Sequence, residues 1–409
     1  MNRIELAKEV AKYHAKYDHF LLDYFPRVGK SVTACELCNE WLKLSDLKIL
    51  ILTNSTTTNN QWLRNLEEHN SHLVDKTDIY CYQSLHKIEN IYDVIMLDEA
   101  ELSFTENRSS YIRELKPKHW IGMSGTWTLD SKNFFRDLTG NKHYTKIVTL
   151  EQAVSWGILP QPNVIKAEFD LDAQRRYMTF EIKGKGKGTT VVPYFSRWSA
   201  YHTHAKIVVQ CTEKECNDFH DGEVKKWQEW MEDLQQPPAL RKFSLKIGFE
   251  VCKINMLRKA LNRKNFFTKV KTRYFKHLYN KILKGQPNAR VLIFCGSIEQ
   301  AEFINSEMSI HSKKIDSEEL LNDFNNGVIN SLLAVKILDR GVDLQGVDYA
   351  IIIQGDNSQN SVVQRAGRSL LSISPKIVIM CAKNTVDEKY VGKFLENFPT
   401  DWVTTKQIL

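Results

Sequence analysis

The chain has 409 residues, 42% hydrophobic and 26% charged, with a net charge of +7. That length exceeds what one hydrophobic core usually serves, so two or three domains are expected, and the balance excludes a disordered or fibrous protein. No apolar run approaches the ~20 residues that cross a bilayer, the first residues lack the apolar stretch of a signal peptide, and eight cysteines in so long a chain suit a reducing cytoplasm rather than a disulfide scaffold.

In chain order, the first third alternates short β-branched runs with amphipathic stretches. Lys48–Thr53, Asp78–Tyr82, Asp93–Leu97 and Trp120–Ser124 read as buried strands with helical segments between them. That alternation predicts a parallel sheet covered on both faces. The pattern stops after about residue 150. The middle holds a Gly-Lys repeat over 183–188, read as a mobile loop, then a Trp-rich acidic stretch, Pro237-Pro238 and a basic block. From Arg241 to Lys284 there are fourteen Lys or Arg against the single acid Glu250, which leaves the rest of the chain at −6. Positive charge gathered into one segment is the footprint of a polyanionic partner, most often nucleic acid. Within the block Val270, Tyr274, Leu278 and Ile282 recur every four residues, an apolar helical stripe with Lys269, Lys271, Arg273, Lys276 and Lys281 on the other faces. Strand signals resume at 290–294, 331–335, 349–353 and 376–380. The expected layout is therefore an α/β domain over 1–150, a largely helical basic middle over 151–285, a second α/β domain over 286–400 and a tail over 401–409.

Two constellations in the first domain carry chemistry. Pro26-Arg27-Val28-Gly29-Lys30-Ser31 opens a helical pattern, and backbone N–H groups at a helix start can cradle phosphates. Lys30 would supply positive charge to the β- and γ-phosphates, and Ser31 a hydroxyl to Mg²⁺. Tyr24 stands where the first glycine of such a loop is expected. Asp98-Glu99-Ala100-Glu101 follows directly on a predicted strand, so Asp98 and Glu99 fall at the strand end where ligands bind in such sheets. Asp98 suits a metal ion and Glu99 a general base for water.

With these residues the chain resembles superfamily 2 helicases and nucleic-acid translocases, in feel closest to phage recombination and repair helicases. Lys30-Ser31 matches motif I, and Leu50–Ser55 with Gln61-Trp62 is similar to motif Ia. Tyr82-Gln83-Ser84-Leu85 resembles the segment before the acidic box. Asp98–Glu101 is similar to a DExx box with Glu at its fourth place, and Ser124-Gly125-Thr126 to motif III. Glu151–Pro160 resembles the family's stretch leading out of the first domain. Val291–Cys295, Leu338–Leu344 and Gln364-Arg365-Ala366-Gly367-Arg368 look like motifs IV, V and VI.

The resemblance implies two RecA-like domains with ATP in the cleft between them. Arg27, Val28, Gly29, Lys30 and Ser31 would hold the nucleotide, Ser31 and Asp98 the Mg²⁺, and Glu99 would be the base. Arg368 would serve as an arginine finger, Gln364 would meet the γ-phosphate, and Gly341 and Asp343 would contact the ribose and motif VI. Ser124 and Thr126 would couple hydrolysis to movement. Ser55 and Gln83, with Lys269, Lys271, Arg273 and Lys276, would bind nucleic acid, DNA before RNA. The expected protein is a cytoplasmic monomer or a transient assembly on its strand.

Departures stand beside these matches. Leu371 replaces a second motif VI arginine, with Arg365 and Arg340 as substitutes; Val335 replaces a motif V threonine; and no Gln precedes Gln61 to read adenine. They keep open a binding clamp or annealing factor with impaired ATPase, and a motor for a restriction or nuclease system. His202, His204, Cys211, Cys216 and His220 form a loose zinc pattern that fits no strong template, and Asp170 with Glu181 and Lys183 has the residue order of a nuclease. Cys35 and Cys38 read as buried small side chains.

Overall fold

The computed structural model describes residues 1–88, 91–170, 176–183, 189–195, 268, 270–311, 316–335, 344, 346–354, 367, 370, 372–383 and 387–408, with the backbone alone at 176–183 and 189–195. Lys269, Gly341, Asp343, Gln364, Arg368, the 184–188 loop and the zinc pattern lie outside the described residues.

The first lobe is a six-stranded sheet. Its strands are β1 (His19–Tyr24), β2 (Ile49–Thr53), β3 (Thr77–Cys81), β4 (Val94–Asp98), β5 (His119–Ser124) and β6 (His143–Val148), in the order β3-β2-β4-β5-β1-β6. All pairings are parallel. Every residue of β2 and the first four of β4 are buried, as expected of strands covered on both faces. The connections β1 to β2 and β2 to β3, through α2 (Lys30–Leu42) and α3 (Thr56–His69), move one way across the sheet; β4 to β5 and β5 to β6 move the other. Right-handed crossovers then place the two sets of helices on opposite faces. α1 (Arg3–Ala11) buries Leu6, Ala7 and Val10 and starts with a capping box between Asn2 and Glu5. Sequence patterning missed β1 and β6; β6 alternates exposed and half-buried residues, as an outer strand does.

The second lobe is a seven-stranded, all-parallel sheet. In chain order its strands are β7 (Asn163–Phe169), β10 (Val291–Phe294), β11 (Ser309–Ile310), β12 (Ser331–Ala334), β13 (Tyr349–Ile352), β14 (Lys376–Ala382) and β15 (Val403–Gln407), and they lie in the order β11-β12-β10-β13-β14-β7-β15. β8 (Arg176–Lys183) and β9 (Thr189–Phe195) form a separate antiparallel hairpin. Both parallel-sheet domains expected from the sequence are present.

The middle and the tail behave differently from the layout expected at 151–285 and 401–409. β7 pairs with β14 from Asn163↔Lys376 to Phe169↔Ala382, so residues 163–169 belong to the second sheet. Val164, Ala167 and Phe169 on β7 are buried there, which is the driving force. Residues 403–407 pair with β7 as an edge strand. The middle is not wholly helical either. The paired strands over 176–183 and 189–195 are rich in β-branched and aromatic residues. The helix over 270–285 packs its predicted stripe against the second sheet, where Val270 and Phe275 are buried and Tyr274, Leu278 and Ile282 lie against that core. Tyr274 stacks on Phe169 with ring centroids 4.0 Å apart and donates its hydroxyl to Asp170 O at 2.9 Å.

Candidate nucleotide site

β1 ends at Tyr24, and the chain turns through Phe25–Gly29 into α2. Arg27 and Gly29 sit at φ +71° and +112°, the left-handed region. Only glycine reaches the second value without strain, which explains the residue before Lys30. Gly29 also lies under the Arg3 side chain of α1, its built Cβ 3.4 Å from Arg3 Cβ and Cγ. Tyr24 at the place of the missing glycine does no harm, because its fully buried ring points into the core and only its carbonyl borders the loop. That carbonyl accepts from Lys30 Nζ at 3.4 Å. Val28 is buried beneath the turn. Ser31 is half-buried at the start of α2.

β4 delivers the carboxylates. Asp98 closes the strand, and Glu99 turns the chain with φ +49°. Trp62 Nε1–H on α3 donates to Asp98 Oδ2 at 2.9 Å, and the Glu99 N–H to Oδ1 at 3.1 Å. The Tyr82 hydroxyl donates to the Asp98 backbone carbonyl at 2.9 Å. Burial first, then the neighbouring Glu99 charge, pushes the Asp98 carboxyl up to about 6, against the bond from Trp62 and the nearby Lys30 charge. Glu101 is buried, and desolvation with the same Glu99 charge raises it to about 7. Thr126 Oγ1 donates to Glu101 Oε1 at 3.1 Å, and the Thr126 N–H to Ser124 Oγ at 3.0 Å. Ser124 and Thr126 are both buried beside the acidic turn. Between them, Gly125 approaches the phosphate loop so closely that a Cβ would stand 2.8 Å from Tyr24 O and 3.4 Å from Lys30 Nζ.

The two lobes meet at this loop. A Cβ on Gly367 would lie 2.7 Å from Pro26 Cβ, so only glycine permits the approach. A cavity of about 950 Å³ opens beside the start of α2, walled by Arg3, Ser31, Val32, Trp62, Asn65 and His69 among others. The candidate donors are hard oxygens, the Asp98 carboxylate at the strand end and the Ser31 hydroxyl at the start of α2, and the Glu99 charge hinders ionisation of Asp98 and Glu101. That donor chemistry and excess of negative charge fit Mg²⁺.

Among the expected nucleic-acid residues, Ser55 is the N-cap of α3, accepting from the Thr58 N–H at 3.3 Å. Gln83 is exposed and donates to Asn54 O at 3.3 Å. Arg273 and Lys276 are exposed, with the Lys276 ammonium 4.9 Å from the exposed Phe303 ring. Lys271 is a correction. It is 0% exposed, donates to Met380 O at 2.9 Å and pairs with buried Asp387 at 2.7 Å, so it holds the helix to β14 and cannot reach a phosphate backbone. Val335 is likewise buried in the second core. Sequence reasoning gave no role to Trp62, Tyr82 or Glu101. The hint for Trp62 was its place two turns after Ser55 on one helix.

Residues 270–370 match the model of the helicase conserved C-terminal domain. The chain is 27% identical over 127 residues to "Putative ATP-dependent DNA helicase fml2" of Schizosaccharomyces pombe, covering 26% of this chain and 16% of that protein. It is 25% identical over 114 residues to "DEAD-box ATP-dependent RNA helicase 6" of Oryza sativa subsp. japonica, covering 25% and 23%. The match thus spans less than a quarter of either relative's length. In three dimensions the chain is similar to the Hef helicase domain of Pyrococcus furiosus, with TM-score 0.56 and 13% identity over 95% of this chain and 97% of that one. At that identity the likeness is one of fold, that of two RecA-like parallel-sheet α/β domains. Among the described residues no helix is long and apolar enough to cross a membrane.

Proposed function

We propose that the protein is a nucleic-acid-stimulated ATPase that translocates along, or unwinds, DNA. The observation that carries this reading is the seam, where Lys30, Asp98 and Gly125 gather at one phosphate loop and Gly367 of the other lobe abuts Pro26 of that loop. Arg368 follows Gly367 in sequence and is the candidate to meet charge developing on the transferred phosphate; Gln364 would contact the γ-phosphate. Arg27–Ser31 cradle the phosphates, and Gly341 and Asp343 complete the nucleotide's surroundings from the second lobe. Lys30 exchanges its long bond to Tyr24 O for phosphate oxygens. Ser31 and Asp98 hold Mg²⁺, which would supply electrostatic stabilisation of phosphate oxygens. Glu99 orients the attacking water and takes its proton. The buried chain Glu101–Thr126–Ser124 links the acidic turn to the loop that touches Lys30, a route from phosphate state to lobe movement. Ser55, Gln83, Lys269, Arg273 and Lys276 bind the strand. DNA is preferred on the name of the fission-yeast relative; the rice relative makes RNA the necessary comparison.

The test is ATP turnover by pure protein with single-stranded DNA, duplex, forked DNA and RNA. DNA is expected to stimulate most, and Lys30→Ala and Glu99→Gln to lower turnover by roughly 10²–10³-fold, the usual scale for losing a group that stabilises transition-state charge, with strand binding retained. Absence of nucleic-acid-stimulated turnover would favour a clamp, and turnover that survives Lys30→Ala would refute the role given to Lys30.

A further inference from the structure

Asp98 is held from two directions by groups that the proposed chemistry does not use. Trp62 Nε1–H reaches its carboxylate, and the Tyr82 hydroxyl its backbone carbonyl, both at 2.9 Å. Both side chains are almost fully buried, at 4% and 2% exposure. Neither stands alone in sequence. Trp62 belongs to α3, the helix that Ser55 caps, and Tyr82 immediately precedes Gln83. The two loops are also tied to each other. Gln83 donates to Asn54 O at 3.3 Å, Thr53 hydrogen-bonds Asn59 of α3, and Asn59 Nδ2 reaches Cys81 Sγ at 3.5 Å.

We infer that Trp62 and Tyr82 are positioning residues that carry strand occupancy at Ser55 and Gln83 to the metal-binding Asp98, each through one hydrogen bond. This rests on the proposed reading of Asp98, Ser55 and Gln83. The physical argument is one of lever arms. α3 is a single helix, so a strand that fixes its capped end also fixes the indole two turns along. The turn beginning at Tyr82 leads directly from β3, and a contact at Gln83 restrains the neighbouring phenol. Together the two donors set the carboxylate's direction and the height of its peptide. When the loops shift, both donor atoms shift, and the oxygen that must face the metal moves with them. The Trp62 bond to the carboxylate is strong and directional, and the Tyr82 bond to the neutral carbonyl fixes the peptide that carries it. Nucleic acid would then alter not only hydrolysis but the ease with which the nucleotide site takes up Mg²⁺.

Tyr82→Phe removes one oxygen and Trp62→Phe one N–H together with part of a ring. The measurement is equilibrium binding of a fluorescent, non-hydrolysable ATP analogue as Mg²⁺ is raised, with and without a single-stranded DNA oligonucleotide, alongside thermal unfolding. In the unaltered protein the oligonucleotide should lower half-saturating Mg²⁺ several-fold. Half-saturation should rise about tenfold in Trp62→Phe, the scale of one hydrogen bond to a charged group, and about fivefold in Tyr82→Phe, which loses a bond to a neutral carbonyl; in both, the effect of DNA should vanish while DNA affinity stays within twofold. Variants that melt like the parent yet keep its Mg²⁺ midpoint and its DNA effect would overturn the inference. If Trp62→Phe fails to fold, Tyr82→Phe decides the question. Absence of ATP turnover in the unaltered protein would instead strike the proposed function, and absence of any DNA effect on its Mg²⁺ midpoint would strike the inference alone.

Discussion

Lys30 and Lys271 each lie on a helix packed on a parallel sheet, each beside acidic side chains, and their fates are opposite. Lys30 is half-buried, and its bond to Tyr24 O is a long 3.4 Å, as the proposed exchange for a phosphate oxygen requires. Lys271 has no exposed surface and is satisfied by Asp387 and Met380 O within 2.9 Å. Asp387 is in turn bound by the Ala382 N–H at 2.9 Å, so the pair is closed to any ligand. A functional cation is one whose partner can be displaced, and a structural one has no better partner to find.

The largest effect that would sharpen this contrast is on stability. Lys271→Met should cost about 3–5 kcal/mol in urea unfolding, because Asp387 is left charged and unpaired in the core. Adding Asp387→Leu should recover most of it. A loss below about 1 kcal/mol for Lys271→Met would mean that the pair is not closed and that the two lysines are more alike than they look.

The carboxylate side of the comparison has a pH signature. Burial and Glu99 lift Glu101 from 4.5 to about 7 in the folded chain. A raised carboxyl contributes stability that is fully present below its unfolded value and is lost as pH rises through the folded one. The protein without nucleotide should therefore weaken between about pH 5 and pH 8. Glu101→Gln, which cannot ionise, should flatten that loss by on the order of 2 kcal/mol. Parallel pH profiles for variant and parent would show that Glu101 ionises freely in the fold.

The smallest expected effect concerns the exposed face of the same helix. Arg273→Ala with Lys276→Ala should leave folding intact and reduce the log–log salt slope of DNA binding by about 1–2. An unchanged slope would move the strand-binding surface off this helix.

Much of the site was legible because its residues are contiguous. Lys30-Ser31, Asp98-Glu99 and Ser124-Gly125-Thr126 each lie at or after the C-terminal end of a strand, and the three strands are parallel neighbours in one sheet, so order along the chain already implied proximity. Lys271 was misread because it shares its helix with Arg273 and Lys276, and composition does not say which turn of a basic helix faces a sheet. Residues 163–169 were assigned to the middle because their partner, β14, lies more than two hundred residues away. Trp62 and Tyr82 fell in motif-like segments but were given no role for a similar reason: nothing local says that the indole N–H and the phenol hydroxyl reach Asp98.

By itself, the sequence determined that two parallel α/β units are present and that a Gly-Lys-Ser turn and an acidic strand end share the first. Hydrophobic period and local turn chemistry act over a few residues, and a linear reading recovers them. Only the tertiary structure decided which lysine is core and which is site, that β7 and the 270–285 helix build the second lobe, and that Gly367 meets Pro26. Those outcomes depend on non-local packing and on which polar groups lose water together, and neither is written in any one segment.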